Sequence, residues 1–376
     1  MFIFERLVGL SIYIVILFMT SFFTLKANVS CKKILQFYII CLCVMAFFYK
    51  PSETGDLYRI YNLMDQFSTM QFKDFWNIYI VNSRIPVAYL LYWSVGHTGI
   101  NNLLPVISTI ISYSLIFYVM NKTQELYSIS KNSLVITLWF LMITSIYISV
   151  IGGIRMMISL SLILYSYFRN VVEKKVGIFE IAFYILALLI HEMSYAVVGI
   201  CLVTFLFFYK TKLINKVIFI IIAMIAVAIF GIVFRETIQN IYNKFLEYIF
   251  GEKYSDTWEY IMGALIICLL LIVLGRFRYL RKEEEYQHLN IVNTVAFFFI
   301  LVAICFSFEF SMFYRFGGQL AVLFSIPALM ITLEKGRIQK GTFVSEQGYQ
   351  HLVILFIIII GVISCARGSL SSLKFF

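Results

Sequence analysis

Residues 149–166 read SVIGGIRMMISLSLILYS. Apolar side chains fill the stretch on both sides of a single arginine, Arg155, and two adjacent glycines, Gly152 and Gly153, stand just before it. An apolar run of this length can cross a bilayer as a helix. A guanidinium inside such a run is expensive, rare and usually functional. Glycines beside it let a backbone or a ligand come close.

The rest of the chain is built in the same way. Of 376 residues, 61% are hydrophobic and only 13% charged, where soluble domains carry about 25% charged and about 45–50% apolar residues. Mean hydropathy is +0.91. Apolar runs predict about twelve membrane-spanning helices, at 7–25, 33–49, 103–120, 133–150, 154–169, 177–191, 194–209, 216–234, 259–275, 290–308, 316–333 and 351–365. The period-two alternation of a membrane barrel is absent, and only helices otherwise satisfy the backbone in lipid. The expectation is one all-α polytopic domain over 1–376, which admits a GT-C-like arrangement, with two long loops at 50–102 and 235–258 on one side. Lys26, Lys32 and Lys33 follow the first run and no small-residue cleavage site does, so it reads as a retained helix.

Segment 84–97 (RIPVAYLLYWSVGH) has too short an apolar part to cross, and suits an interfacial helix. If it does not cross, the loops 26–33, 121–132, 169–176, 210–216, 276–289 and 334–350 share one side. They hold 18 of the 30 lysines and arginines. That is the positive-inside pattern, and it puts 50–102 and 235–258 outside. The net charge of +10 then reflects orientation. Basic residues scattered over short loops give no nucleic-acid surface. The seven cysteines form no C-x-x-C, disulfide or metal pattern, and no metal or other cofactor is expected. In the outer loops, Phe72, Phe75, Trp76 and Tyr79, and again Ile238, Ile241, Tyr242, Phe245 and Ile249, fall at helical spacing and read as amphipathic helices on the outer leaflet.

Under this topology polar residues from distant segments gather on the outer side. They are Asp56, Arg59 and Asp65; Arg84 and His97; Arg155; His191 and Glu192; and Glu309 and Arg315. Each has a plainer reading. Arg155 and Arg315 could snorkel to lipid phosphates, Asp56 could cap a helix, His191 could end one, and Glu192 or Glu309 could pair with an arginine. Their coincidence on one side favours an outward-facing polar site.

These residues also carry a resemblance. KPSETGDLYRIYNLM (50–64), GGIRMMISLSLILYSYF (152–168) and ILALLIHEMSYAVV (185–198) are similar, in order and spacing, to the EpsG-like, Wzy-type polysaccharide polymerases. The Gly-Asp with a downstream Tyr maps to Gly55, Asp56 and Tyr61. The Gly-x-Arg maps to Gly153 and Arg155, and the His/Ser pair to His191 and Ser194. Here one extra residue separates His from Ser, and Met156 stands where the family often has Gln. The resemblance implies a polymerase of capsule, exopolysaccharide or O-antigen repeat units at the outer face of the bacterial inner membrane. Its substrates would be glycans on undecaprenyl diphosphate. Its surroundings would be membrane lipid, a flippase and chain-length regulators.

The residue chemistry agrees with that implication. Arg155 and Arg315 suit a diphosphate leaving group, and Asp56 or His191 suits the proton acceptor for the attacking hydroxyl. Arg59, Tyr61, Arg84, Glu192 and Glu309 are further candidates for substrate contact. A polyprenyl-phosphate-sugar glycosyltransferase, a lipid-linked oligosaccharide flippase and a membrane acyltransferase stay open as alternatives. Against the flippase stand charges at the ends of spans rather than mid-bilayer, and no repeated halves.

Overall fold

The computed structural model describes residues 2–26, 29–53, 55–81, 83–144, 146–208, 257–280, 286–307, 309–334 and 346–366. The expected span at 216–234 and the amphipathic residues Ile238, Ile241, Tyr242, Phe245 and Ile249 lie outside these. Among the described residues every regular element is helical. The elements are α1 (Phe2–Lys26), α2 (Cys31–Phe47), α3 (Asp56–Ser68), α4 (Phe72–Phe75), α5 (Pro86–Gly96), α6 (Leu103–Leu126), α7 (Lys131–Ile143) and α8 (Ile146–Gly152). They continue as α9 (Ile154–Val171), α10 (Ile178–Ile190), α11 (Ser194–Phe208), α12 (Thr257–Leu280), α13 (Gln287–Cys305), α14 (Phe310–Phe313), α15 (Ala321–Glu334) and α16 (Glu346–Ala366). Two π-helical segments, Trp76–Ile80 and Tyr314–Leu320, prolong α4 and join α14 to α15.

Six helical stretches are long and apolar enough to cross a membrane: Leu7–Lys26, Leu103–Leu126, Trp258–Arg278, His288–Cys305, Phe310–Glu334 and Gly348–Ala366. A seventh is reached if α7 and α8, bent by 51° at their break, are one span. The described residues therefore do not reach the expected twelve. α2, α10 and α11 are 17, 13 and 15 residues long, and two arginines and three serines dilute α9. The run drawn at 133–150 is broken, and the run drawn at 316–333 starts earlier, with Glu309 capping α14.

α9 is nonetheless the centre of the bundle. It packs between α6 and α10, and Met157, Leu160, Ile163, Leu164 and Phe168 are fully enclosed. Small side chains make this possible: Ser159, Ser161 and Ser166 on α9, and Ser108, Thr109 and Ser112 on α6, are all buried. Such residues let helices approach closely in lipid. The Ser108 hydroxyl donates to the Val150 carbonyl at 2.6 Å. Two tyrosines use carbonyls in the same way. Tyr13 donates to Met142 O (2.8 Å) and Tyr147 to Leu42 O (2.9 Å), with their rings stacked at 5.3 Å. Three buried hydroxyls thus find carbonyls around the α7–α8 bend, while those of Ser112 and Ser166 have no hydrogen-bond partner.

The helices define two poles. At one, Gln124 reaches Ile129 O, Ser130 and Ser133 donate to the Glu334 carboxylate, Tyr118 donates to Glu173, and Arg169 pairs with Glu180 at 2.8 Å. These residues belong to the basic loops 121–132, 169–176 and 334–350 or adjoin them. At the other pole lie α3, α4 and α5, which form a cap. Gly96 is required there: a Cβ on it would stand 2.7 Å from Met64 O. The 84–97 segment is a helix of 11 residues, as expected for one too short to cross. The aromatic residues of α4 do not form a free belt. Phe75 is fully buried against Phe67 and Trp93, while Phe72 and Trp76 remain about half exposed.

Candidate functional site

α9 starts at this second pole, so Arg155, in its first turn, points its head toward the cap rather than into lipid. α3 starts there too, with Gly55 in extended conformation at its N-cap and Asp56 as its first residue. A carboxylate is favoured at a helix N-terminus. The two side chains meet: Arg155 Nη2 lies 3.3 Å from Asp56 Oδ2. Arg59, one turn further along α3, approaches Oδ1 at 3.7 Å.

This pair lines a cavity of about 670 Å³. His191 enters from the turn after α10, and Tyr314, Arg315 and Gln319 enter from the π-helix. Gly152 lies on its wall, and a Cβ there would meet nothing within 4 Å. Gly152 therefore leaves room in the cavity beside the guanidinium, whereas a Cβ on Gly153 would stand 3.1 Å from the Ser149 carbonyl oxygen. The π-helix matters because i→i+5 bonding realigns side chains, and such segments often mark functional sites. Gly317 seats it: a Cβ there would lie 2.8 Å from Ile267 Cδ1 and 3.2 Å from Ala303 Cβ. α12 and α13 thus press against the segment that carries Arg315.

The imidazole of His191 has a defined tautomer. Its Nδ1 accepts the Met193 backbone N–H at 3.1 Å. A backbone amide can only donate, so in the neutral ring the proton belongs on Nε2. His191 therefore presents a donor rather than a basic nitrogen at Nε2. The Arg155 Nε–H is buried and has no hydrogen-bond partner, leaving the guanidinium with donor capacity beyond its bond to Asp56.

Five of the nine candidate residues line the cavity: Asp56, Arg59, Arg155, His191 and Arg315. Four stand outside it. Tyr61 donates to Asn102 Oδ1 at 3.0 Å, and Asn102 in turn donates to Phe47 O, which ties α3 to α2 and α6. Burial raises the Tyr61 hydroxyl above its ordinary pKa, and nearby Tyr49 adds to this. Arg84 and Glu192 approach each other at 3.9 Å. Glu309 accepts backbone N–H groups of Ser311 and Met312, holding the start of α14. Of the polar residues named beside them, Asp65 accepts from Asn101, and His97 lies on Trp93.

Two residues escaped the sequence reading. Gln319 is 4% exposed and donates to Ser149 Oγ at 2.6 Å, with its own Oε1 unpartnered. Tyr92 on α5 is buried with an unpartnered hydroxyl. Its pKa is raised, mainly by burial, with Arg155 opposing and Asp56 adding to the rise. An amide or a phenol in an apolar run carries no charge to mark it; only Gly317 and Gly318 hinted at irregular backbone. Among the described residues no group of three or more His, Cys, Asp or Glu is arranged to hold a metal ion.

A helical bundle with several helices able to cross a membrane and a polar cavity at its capped pole, lined by a carboxylate, an imidazole and guanidinium groups, defines the class: a multi-pass membrane protein. The chain belongs to the EpsG family, whose model matches residues 58–366. The family is associated with glycosyltransferase and polysaccharide-polymerase activity. The match begins two residues after Asp56 and includes Arg155, His191 and Arg315. No curated protein and no solved structure matches the chain.

Proposed function

We propose that the protein polymerises surface-polysaccharide repeat units at the outer face of the bacterial cytoplasmic membrane. The observation that carries this reading is the convergence of Asp56, Arg155, His191 and Arg315 on one cavity. The donor is the growing glycan on undecaprenyl diphosphate, and the acceptor is a terminal sugar hydroxyl of a lipid-linked repeat unit. The acceptor oxygen bonds to the donor's anomeric carbon. The bond from that carbon to the diphosphate oxygen breaks, and undecaprenyl diphosphate leaves with the bonding electrons.

Each residue has a part in that step. Arg155 and Arg315 hold the diphosphate, since guanidinium matches phosphate geometry and stabilises charge that grows as the bond breaks. Asp56 takes the proton of the acceptor hydroxyl. The tautomer of His191 favours a donor role, orienting a sugar or phosphate oxygen. The Arg155–Asp56 pair makes the steps sequential: diphosphate draws Arg155 away, and the carboxylate is then free for the hydroxyl. The flippase and chain-length regulators remain the proposed partners.

Deletion of the gene tests the reaction class. Single lipid-linked repeat units should remain while long polymer disappears. Loss of the single units as well would assign the protein to repeat-unit assembly, the role of a polyprenyl-phosphate-sugar glycosyltransferase.

A further inference from the structure

A second polar feature lies far from the cavity. On α13, Asn290, Asn293, Thr294, Phe297 and Phe298 share one face, and on α12 so do Leu271, Leu274, Gly275 and Arg278. The two faces border a groove of about 320 Å³. Tyr260 on α12 packs against Phe310 at the cavity pole, ring centroids 5.0 Å apart. Arg278 lies 18 residues further along the same helix, about 27 Å at 1.5 Å per residue. The groove is therefore at the opposite pole, roughly one hydrocarbon thickness away.

Asn293 sits on its floor. It is 5% exposed, and both its amide nitrogen and its amide oxygen lack a hydrogen-bond partner. It lies six residues into α13, about 9 Å from the helix start, at a depth where lipid offers no water. A buried amide with nothing to bond is costly. Gly275, whose missing side chain would meet nothing within 4 Å, keeps the groove open. Phe297, Phe298 and Leu271 are each about 40% exposed on its apolar edge. Arg278, at the mouth near the end of α12, is exposed and takes part in no ion pair among the described residues.

We propose that this groove binds one anionic glycerophospholipid of the surrounding leaflet. Its phosphate pairs with Arg278, its ester carbonyls and headgroup hydroxyls satisfy Asn293, and an acyl chain lies along Leu271, Phe297 and Phe298. A cation at the mouth, an amide deeper and an apolar edge deeper still follow the order of groups in such a lipid. One guanidinium matches one phosphate, whereas a diphosphate carrier calls for more. The groove separates α12 from α13, the two helices whose Ile267 and Ala303 seat the π-helix, so a lipid wedged there also steadies the far pole.

The test is native mass spectrometry of the purified full chain, offered phosphatidylglycerol and phosphatidylethanolamine in equal amounts. The wild type should retain one phosphatidylglycerol with at least a tenfold preference. Arg278→Gln and Asn293→Leu should each reduce that preference below threefold, while Lys73→Gln, an exposed basic residue at the cavity pole, should keep it. Arg278→Gln alters an exposed position and carries the test should Asn293→Leu fail to fold. Equal retention of the two lipids, or a preference unchanged in Arg278→Gln, would overturn the proposal. So would displacement of phosphatidylglycerol by an equal amount of undecaprenyl phosphate, which would assign the groove to the carrier lipid.

Discussion

The Arg155 guanidinium reaches Asp56 across 99 residues of sequence and holds its Oδ2 at 3.3 Å. Both side chains are part-exposed to the cavity, 30% and 43%. A pair so exposed is worth about 1 kcal/mol or less. It is weak enough for a diphosphate, with more charge and more acceptor oxygens, to take the arginine over.

That exchange predicts how Arg155 tolerates substitution. Lysine keeps the charge but loses the planar fork. Arg155→Lys should therefore lose polymer nearly as completely as Arg155→Ala, at matched membrane levels. A residue that only snorkels would accept lysine, because lysine also reaches lipid phosphate. Polymer yield and binding of a lipid diphosphate, measured side by side, separate the two.

His191 gives a sharper distinction. Its Nδ1 accepts the Met193 N–H, so the proposed role of His191 is that of a donor at Nε2. Glutamine places an amide N–H near that position and is no base. His191→Gln should retain a measurable part of the polymerisation rate, and His191→Ala should fall at least about tenfold below it, the effect of losing one hydrogen bond to a charged group. Equal loss in both variants would return His191 to the role of base.

The cap that shapes the cavity depends on the contact of α5 with α3. A methyl at Gly96 would sit 2.7 Å from the Met64 carbonyl oxygen, and backbone cannot yield as a side-chain tip can. Gly96→Ala should cost about 1–3 kcal/mol of stability, seen as a lower melting temperature in detergent. Gly152→Ala, facing open space, should melt like the wild type.

Much of this was legible before the structure, and for identifiable reasons. Arg155, Asp56, His191 and Arg315 declare themselves because charge is rare in apolar runs, and the folded chain brings all four to one cavity. That 84–97 holds only a short helix followed from its length. Less was legible where the signal is not charge or period. The bend between Ile143 and Ile146 leaves hydropathy unchanged, so 133–150 looked continuous. The π-helix at 314–320 is a matter of backbone register. Gln319 resembles any polar residue near a helix start, and Glu309 gives no sign that its carboxylate caps α14.

The orientation expected from the partition of basic residues is open to direct measurement. In a cysteine-free background, Lys73→Cys on α4 should react with an impermeant thiol reagent applied outside cells. Lys175→Cys, which is 61% exposed at the other pole, should react only after the membrane is opened. The reverse labelling would place the cavity inside and remove the polymerase reading from the outer face.

The central claim is that Asp56 and Arg155 form the reacting site of a repeat-unit polymerase. The most direct measurement is polymerisation by the purified protein supplied with a synthetic undecaprenyl-diphosphate-linked repeat unit, comparing wild type with Asp56→Asn. Asparagine preserves shape and can still meet Arg155, but it cannot take the proton. The account predicts that the wild type makes long chains and releases undecaprenyl diphosphate. It also predicts that Asp56→Asn binds the lipid substrate while extending it about 100- to 10,000-fold more slowly, the usual loss for a general base. Chain extension by Asp56→Asn at the wild-type rate would contradict it.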